Sequence, residues 1–357
     1  MTRALALAGL LVVVALPAAA STGAAAPAPD QVRVAFVYGE QLIQVSRPGA
    51  TPADALAQLV AGPTAAEAKR GVRTYVPGGT KVNALTVNGD LATVDLSPRF
   101  TTGGDARSRL ARLSQLVRTL TGVGSIRRVQ LLIDGATVSG VFPGVPTASP
   151  ITFALLQKPN VPVPKPRRRK LGPPDPHIKT VQQRLIELGY LRGAADGRFG
   201  PVTSDAILAF QKWERLGRTG RLDMGTESRL ARASRPAPIS RGGVGKRAEV
   251  LIDRQVALLI VNNKVLRAIA VSSGKPTTPT PPGNYKVYAK IPRWWSVPFR
   301  EWLPWAVPFV GGIAFHEFPV VPAYPASHGC VRQAVAVARG TFDFAELGMP
   351  VKVIARS

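Results

Sequence analysis

A chain of 357 residues is long enough for two or three domains with cores of their own, and 45% hydrophobic residues with 34 Gly and 33 Pro exclude a wholly disordered protein. A single cysteine excludes an internal disulfide framework, and nothing in the composition asks for a metal or other cofactor. Part of the formal charge of +25 lies in two Pro-rich stretches without interleaved aromatics, which argues against nucleic acid and for salt-sensitive attraction to other anionic polymers.

Residues 1–26 read as a secretory signal peptide: Arg3, the apolar run Ala4 to Leu16, then Ala18-Ala19-Ala20. The run is shorter than the roughly 20 apolar residues of a membrane span, so membrane attachment is expected only if the signal stays uncleaved. An exported protein is expected, whose basic linkers would be drawn to anionic polymers outside the cell, with anionic wall polymers the better candidate.

From 31 to 156, short alternating runs such as Val32-Arg33-Val34-Ala35-Phe36 predict strands, and Val87-Asn88-Gly89-Asp90 predicts a hairpin. Thr51-Pro52 predicts a capped helix carrying Leu56, Leu59 and Val60, while Leu110, Leu113, Val117 and Leu120 space another over 108–121. This is a mixed α+β domain. Residues 157–174, with Pro159, Pro162, Pro164 and Pro166 among Lys165, Arg167, Arg168, Arg169 and Lys170, predict an extended linker.

Over 175–233 three short helices are predicted, a minimal bundle. Asp175-Pro176 opens the first, with Ile178, Val181, Leu185 and Leu188 on one face and Gly189 at its end. Gly200-Pro201 opens the second, with Ala206, Ile207 and Phe210 inward, and the third carries Thr226 to Leu230. His177 has no metal-ligating neighbour and reads as a surface residue. A second solvated linker, 234–247, holds Arg235, Arg241, Lys246 and Arg247. The remaining 248–357 is mainly β, with short strands joined by turns at Asp253-Arg254 and Asn262-Asn263, read as antiparallel.

The chemistry gathers around Cys330. A nucleophilic thiol needs a base, oxyanion donors and access for a substrate. Ser327-His328-Gly329-Cys330-Val331-Arg332 places an imidazole two residues before the sulfur, a glycine beside it and a guanidinium two residues after. A helix over Gln333 to Arg339 would aim its N-terminus at Cys330 and lower the thiol pKa. His316 follows Gly311-Gly312-Ile313-Ala314-Phe315, whose glycines suit close approach by another segment. By spacing alone either His316 or His328 could serve as base. Trp294-Trp295, Phe299, Trp302, Trp305 and Phe309 form a lid over the cleft, core cover, or an exposed apolar patch that touches membrane or glycan.

Three resemblances fit this division. Leu59-Val60-Ala61-Gly62-Pro63-Thr64, Val76-Pro77, Ala92 to Ser97 and Ile133-Asp134-Gly135 resemble the GerMN domain of spore-germination and lipoprotein families, which implies an envelope accessory module. Val181-Gln182-Gln183-Arg184-Leu185, Leu188-Gly189-Tyr190, Asp196 to Pro201 and Phe210-Gln211 resemble the type 1 peptidoglycan-binding domain, with Gln183 and Arg198 as groove candidates. Arg218-Thr219-Gly220-Arg221 stands where an Asp-Gly pair is common in that family.

Residues 248 to 354 resemble the L,D-transpeptidase catalytic domain, or YkuD domain, through Val250 to Asp253, Ser272-Ser273-Gly274, Thr280-Pro281-Pro282-Gly283, Gly311 to His316 and Ser327 to Arg332. That resemblance implies attack on the amide between a diamino acid and D-alanine in a tetrapeptide stem, release of D-alanine, and transfer of the acyl group to an acceptor amine. It implies Cys330 as thioester former, His316 as proton acceptor oriented by the carbonyl of Glu317, and His328 in support. Amides around Gly329 and Cys330 would hold the oxyanion, Gly311 and Gly312 would line the donor stem, Ser327 would shape the turn, and Arg332 would hold local structure or a stem carboxylate. Water as acceptor, or wall binding without catalysis, are the alternatives. His316 and Ser327 stand close in sequence where many family members carry an insertion, and Arg332 replaces a frequent Asn.

Overall fold

The computed structural model describes residues 30–157 and 171–357; the predicted signal peptide and the basic cluster of the first predicted linker lie outside them. The chain forms two compact units. One takes in the chain to Val37 with Leu42–Thr64 and Arg73–Leu156; the other comprises Tyr38–Gln41, Ala65–Val72 and Gln157–Ser357. No helix among the described residues is long and apolar enough to cross a membrane.

The order along the first part of the chain is β1 (Gln31–Tyr38), β2 (Gln41–Pro48), α1 (Pro52–Ala61), α2 (Ala65–Lys69), β3 (Val72–Arg73), β4 (Val82–Asn88), β5 (Leu91–Leu96), α3 (Ala106–Leu120), β6 (Arg128–Ile133), β7 (Ala136–Thr137), β8 (Ile151–Thr152) and α4 (Phe153–Gln157). Two sheets result, one ordered β2-β1-β3 and one ordered β4-β5-β6-β7 with β8 pairing β6. The hairpin predicted at Gly89-Asp90 is the antiparallel β4–β5 pair. Thr51 caps α1 through a capping box with Asp54, as a Thr-Pro start followed by an acid favours. Of the predicted faces, Leu56, Leu59, Leu110, Leu113, Val117 and Leu120 are buried, while Val60 is half-buried.

In the second unit come α5 (Pro176–Glu187), α6 (Pro201–Trp213) and α7 (Met224–Arg232), capped by Asp175 and Asp223 at α5 and α7. Gln182, not the exposed Gln183, points inward: its amide donates to Asp196 Oδ1, Arg198 O and Thr203 Oγ1, and its carbonyl accepts from Gly197 N–H at 2.7 Å. Gln211 repeats the device, donating to Thr219 Oγ1, Arg221 O and Thr226 Oγ1 while accepting from Thr219 and Gly220. The departure at 218–221 therefore keeps the same amide-held turn, with Gly220 at φ +66°. Arg198 is tied to Gly172 O rather than facing an open groove. His177 is exposed, as expected, and stands 3.2 Å from Glu227.

The catalytic-domain region contains β9 (Lys246–Leu251), β10 (Val256–Val261), β11 (Lys264–Ser272), β12 (Gly283–Lys286), β13 (Ile291–Ser296), β14 (Glu301–Val310), β15 (Ile313–Glu317), β16 (Val331–Gln333), α8 (Val335–Phe344) and β17 (Pro350–Ile354). These strands form one nine-stranded sheet in the order β12-β17-β9-β10-β11-β16-β15-β14-β13. The antiparallel reading needs correction. β15 runs parallel to β16 and β17 parallel to β9, because the long connections before β16 and β17 can reverse the chain where a hairpin cannot.

The second predicted linker is not a free solvated tether. Arg247 lies in β9, 8% exposed, with Nε 3.5 Å from the buried carboxylate of Glu249. That carboxylate also accepts the N–H groups of Ile239 and Ser240, and Arg235 donates to Val265 O. A run of basic residues reads as solvated by composition, but partners far along the chain can bury single members of it.

Candidate active site

β15 and β16 lie side by side in parallel register, with Phe315 opposite Val331 and His316 opposite Arg332. Side chains alternate across a strand. Phe315 and Val331 therefore enter the core on one face, and Ala314, His316, Cys330 and Arg332 share the other. Cys330 and His316 are diagonal neighbours on that face. Leu303 and Ala306 of β14 form one buried cluster with Ala314 and Cys330, against which Trp294 of β13 packs.

The Sγ atom accepts the N–H of Ala314 at 3.2 Å and lies 3.5 Å from Gly312 O. Cys330 has no exposed surface. Its cover is the segment Tyr38–Gln41, which groups with this unit. Glu40 N–H donates to Gly312 O at 3.0 Å, and Ser296 Oγ donates to Glu40 O at 2.6 Å. The glycines are needed there. A Cβ on Gly311 would stand 1.7 Å from the Tyr38 ring, and one on Gly312 would stand 2.0 Å from Tyr38 O.

Two expectations about the thiol are corrected. The residues after Cys330 form strand β16, and α8 begins only at Val335, so no helix N-terminus faces the sulfur. Burial, reinforced by the Glu40 carboxylate, pushes the thiol well above its ordinary pKa, against the weaker opposing pull of the Ala314 N–H and Arg332. In this closed arrangement Cys330 is a neutral thiol shielded from solvent, not an exposed thiolate.

The two histidines are held differently. His316 Nδ1 lies 2.7 Å from Glu317 O, and since a carbonyl can only accept, Nδ1 carries the proton and Nε2 the lone pair. His328 stacks on Phe299 with centroids 4.6 Å apart, and its Nε2 lies 3.3 Å from Lys275 Nζ. An ammonium only donates, so this nitrogen accepts. His328 Nδ1 stands 3.9 Å from Glu40 Oε1.

The loop before Cys330 is pinned from several sides. Ser327 Oγ donates to Cys330 O at 2.5 Å and accepts from Gly329 N–H at 3.0 Å. Gly329, at φ +125°, thus spends its amide on Ser327, so the expected pair of oxyanion donors is reduced in this arrangement. Thr280 Oγ1 donates to Gly329 O at 2.6 Å. Arg332 donates to Ala326 O at 3.2 Å and lies 3.9 Å over the Phe318 ring, a local packing role.

Residues the sequence left without a role also meet here: Lys275, Thr280, Ala314 and Tyr288, whose hydroxyl donates to Gly311 O. Thr280 lies in a quoted motif, and Ala314 lies in the Gly311-to-His316 run. Lys275 and Tyr288 carry no local signal. The aromatic stretch is the β13–β14 hairpin, in which Trp295 meets Trp302 edge-on at 5.1 Å; Phe299 and Phe309 are buried, while Trp294, Trp295, Trp302 and Trp305 are half-buried.

Three family models match the chain: sporulation and spore germination (Germane) over residues 24–139, a peptidoglycan binding domain over 174–230, and the L,D-transpeptidase catalytic domain (YkuD) over 245–353. Among solved structures, the chain is similar to an L,D-transpeptidase from Xylanimonas cellulosilytica (its residues 123–326), at 31% identity and TM-score 0.46, over 54% of this chain and 100% of that one. It is similar also to an L,D-transpeptidase from Stackebrandtia nassauensis, at 22% identity and TM-score 0.35, over 53% of this chain and 96% of that one. An L,D-transpeptidase from Mycobacterium smegmatis matches at 26% identity and TM-score 0.30, over 32% and 60% of the respective chains. No curated protein matches the chain.

Proposed function

The chain belongs, through residues 245–353, to the L,D-transpeptidase family, and from that premise we propose that it cross-links peptidoglycan stems outside the cell through a thioester on Cys330. The observation that carries this reading is the Nδ1–H of His316 held by Glu317 O, which leaves Nε2 unprotonated on the sheet face that bears Cys330.

In the reaction, Nε2 of His316 takes the Sγ proton, and the sulfur attacks the carbonyl carbon between the third stem residue and D-alanine. The carbon–nitrogen bond breaks, D-alanine leaves with the proton returned by His316, and the acyl group remains on sulfur. An acceptor amine then attacks the thioester, gives its proton to His316, and the thiol is regenerated. His328, fixed by Phe299 and Lys275, steadies the loop that carries Cys330. Gly311 and Gly312 line the donor side, which requires Tyr38–Gln41 to leave them. The peptidoglycan-binding domain holds the wall close, the basic residues of the first linker add attraction to anionic wall polymers, and the leader at 1–26 directs export.

Incubation of the full chain with a disaccharide tetrapeptide, followed by mass spectrometry, tests this. Dimer and free D-alanine are expected, both lost in Cys330→Ala. Tripeptide without dimer makes water the acceptor. Neither product, with Cys330 titratable and sacculus binding retained, leaves a wall-binding protein and overturns the proposal.

A further inference from the structure

We infer that the cavity where the helical bundle meets β11 and α8 binds the carboxylate end of a short peptide or acyl amino acid, gripped by Arg267 and Arg192. This goes beyond the transpeptidase reading, since the cavity, about 260 Å³ in volume, shares no lining residue with the thiol site.

Arg267 projects from β11 and is 8% exposed, yet its Nε has no hydrogen-bond partner. Leaving a buried guanidinium N–H without an acceptor is costly, and a like charge beside it adds to the cost. Arg192 supplies that like charge. Burial first, and then Arg192, bring Arg267 down to about 10. Both groups converge over Gly340 of α8, where an added Cβ would stand 2.9 Å from Arg267 Nη1 and 3.7 Å from Arg192 Nη1. Two guanidinium groups that converge on one point make a ready clamp for a planar oxyanion.

Two further features favour an anion. The first turn of α8, with Ala334, Ala336 and Val337, lines the cavity, and Ala334 provides no side-chain cap for its N–H groups. The acids that border the space have other partners: Asp343 lies 3.3 Å from Arg339, and the cation acting on Asp205 is Lys212. Leu208, Ile269 and Val337 make the remaining wall apolar. A small acyl amino acid fills such a space with its methyl groups, whereas a phosphodiester would bury polar oxygens against those side chains.

Isothermal titration of the full chain with N-acetyl-D-alanine and with inorganic phosphate, at fixed ionic strength, tests the inference. Saturable binding of N-acetyl-D-alanine is expected, weakened at least tenfold in Arg267→Met, with phosphate binding the weaker. The melting temperature of unliganded Arg267→Met should be unchanged or higher, because a buried charge with an unbonded N–H is removed. If that variant misfolds, Arg192→Gln on the exposed partner should still weaken binding several-fold, and Gly340→Ala should do the same by pushing the guanidinium groups apart. No saturable binding, equal binding by Arg267→Met, or phosphate binding as tight as the carboxylate would overturn it.

Discussion

Cys330 combines a nucleophile's sequence setting with a core residue's surroundings. The N–H that Ala314 donates to the sulfur stabilises a thiolate, but burial and the Glu40 carboxylate act more strongly against it. The thiol should therefore titrate above the ordinary cysteine range in the native protein. Glu40→Gln removes the neighbouring negative charge and should lower that value and speed alkylation by iodoacetamide; thiolate absorbance at 240 nm against pH measures it. A native thiol that titrates below neutrality would contradict this picture. At this scale the sequence exposed Cys330 with two histidines, His316 and His328, as possible bases, and the resemblance supplied both the choice of His316 and Glu317 as the orienting carbonyl. Glu40, Lys275 and Tyr288 remained illegible because contact with residues distant in sequence, not local pattern, brings them to the site: Glu40 acts on the sulfur, Lys275 meets His328 and Tyr288 meets Gly311 O.

Among the elements, the misread helix after Cys330 shows where periodicity loses to pairing. Gln333 to Arg339 offers good helix formers, but Val331 to Gln333 bond into the sheet beside β15 and β11, and the helix starts only once those ladders end. The capped helices α1 and α5 were legible because their signals, Thr-Pro and Asp-Pro, lie within one turn. Gly311 and Gly312 join β14 to β15 and admit Tyr38–Gln41 because they have no Cβ. Gly312→Ala would drive a methyl into Tyr38 O and Gln41, destabilising the closed arrangement by roughly 1–3 kcal/mol. Its expected signature is faster alkylation of Cys330 with far-UV circular dichroism unchanged; a rate equal to the wild type would show that this segment is not the barrier. In the bundle, Gln211 closes the loop between α6 and α7, and Gln211→Ala strands the amides of Thr219 and Gly220. A loss of roughly 1–3 kcal/mol in urea unfolding is expected, accompanied by weaker sacculus binding.

On the scale of the whole second unit, the bundle and the catalytic sheet share one apolar core, in which Leu185, Ile207 and Phe210 join Leu258, Ala268 and Ala270. No local signal announces this, since each helix face reads as the inside of its own bundle. Lys212 marks the junction. It has no exposed surface, and its ammonium donates to Val271 O at 2.8 Å, next to the strand that leads to Cys330. Burial, helped by Arg218, pulls it from 10.5 to about 7, while Asp205 partly opposes the shift. Between those two values the unfolded chain binds a proton that the folded chain does not, so stability must rise with pH across that window. Asp205, pushed up to about 6 from 3.8 by burial, works in the other sense: there the folded chain holds the extra proton, and stability falls as pH rises from about 4 to 6. The pair therefore contributes least near pH 6 to 7 and more on either side. Urea midpoints measured from pH 5 to 10 should show that minimum, and Lys212→Met should abolish the rise on the alkaline side while keeping the chain folded, because a methionine fills the space of the lysine stem. An alkaline slope identical in wild type and Lys212→Met would mean that the ammonium reaches water and that the junction between bundle and sheet is looser than a buried lysine requires.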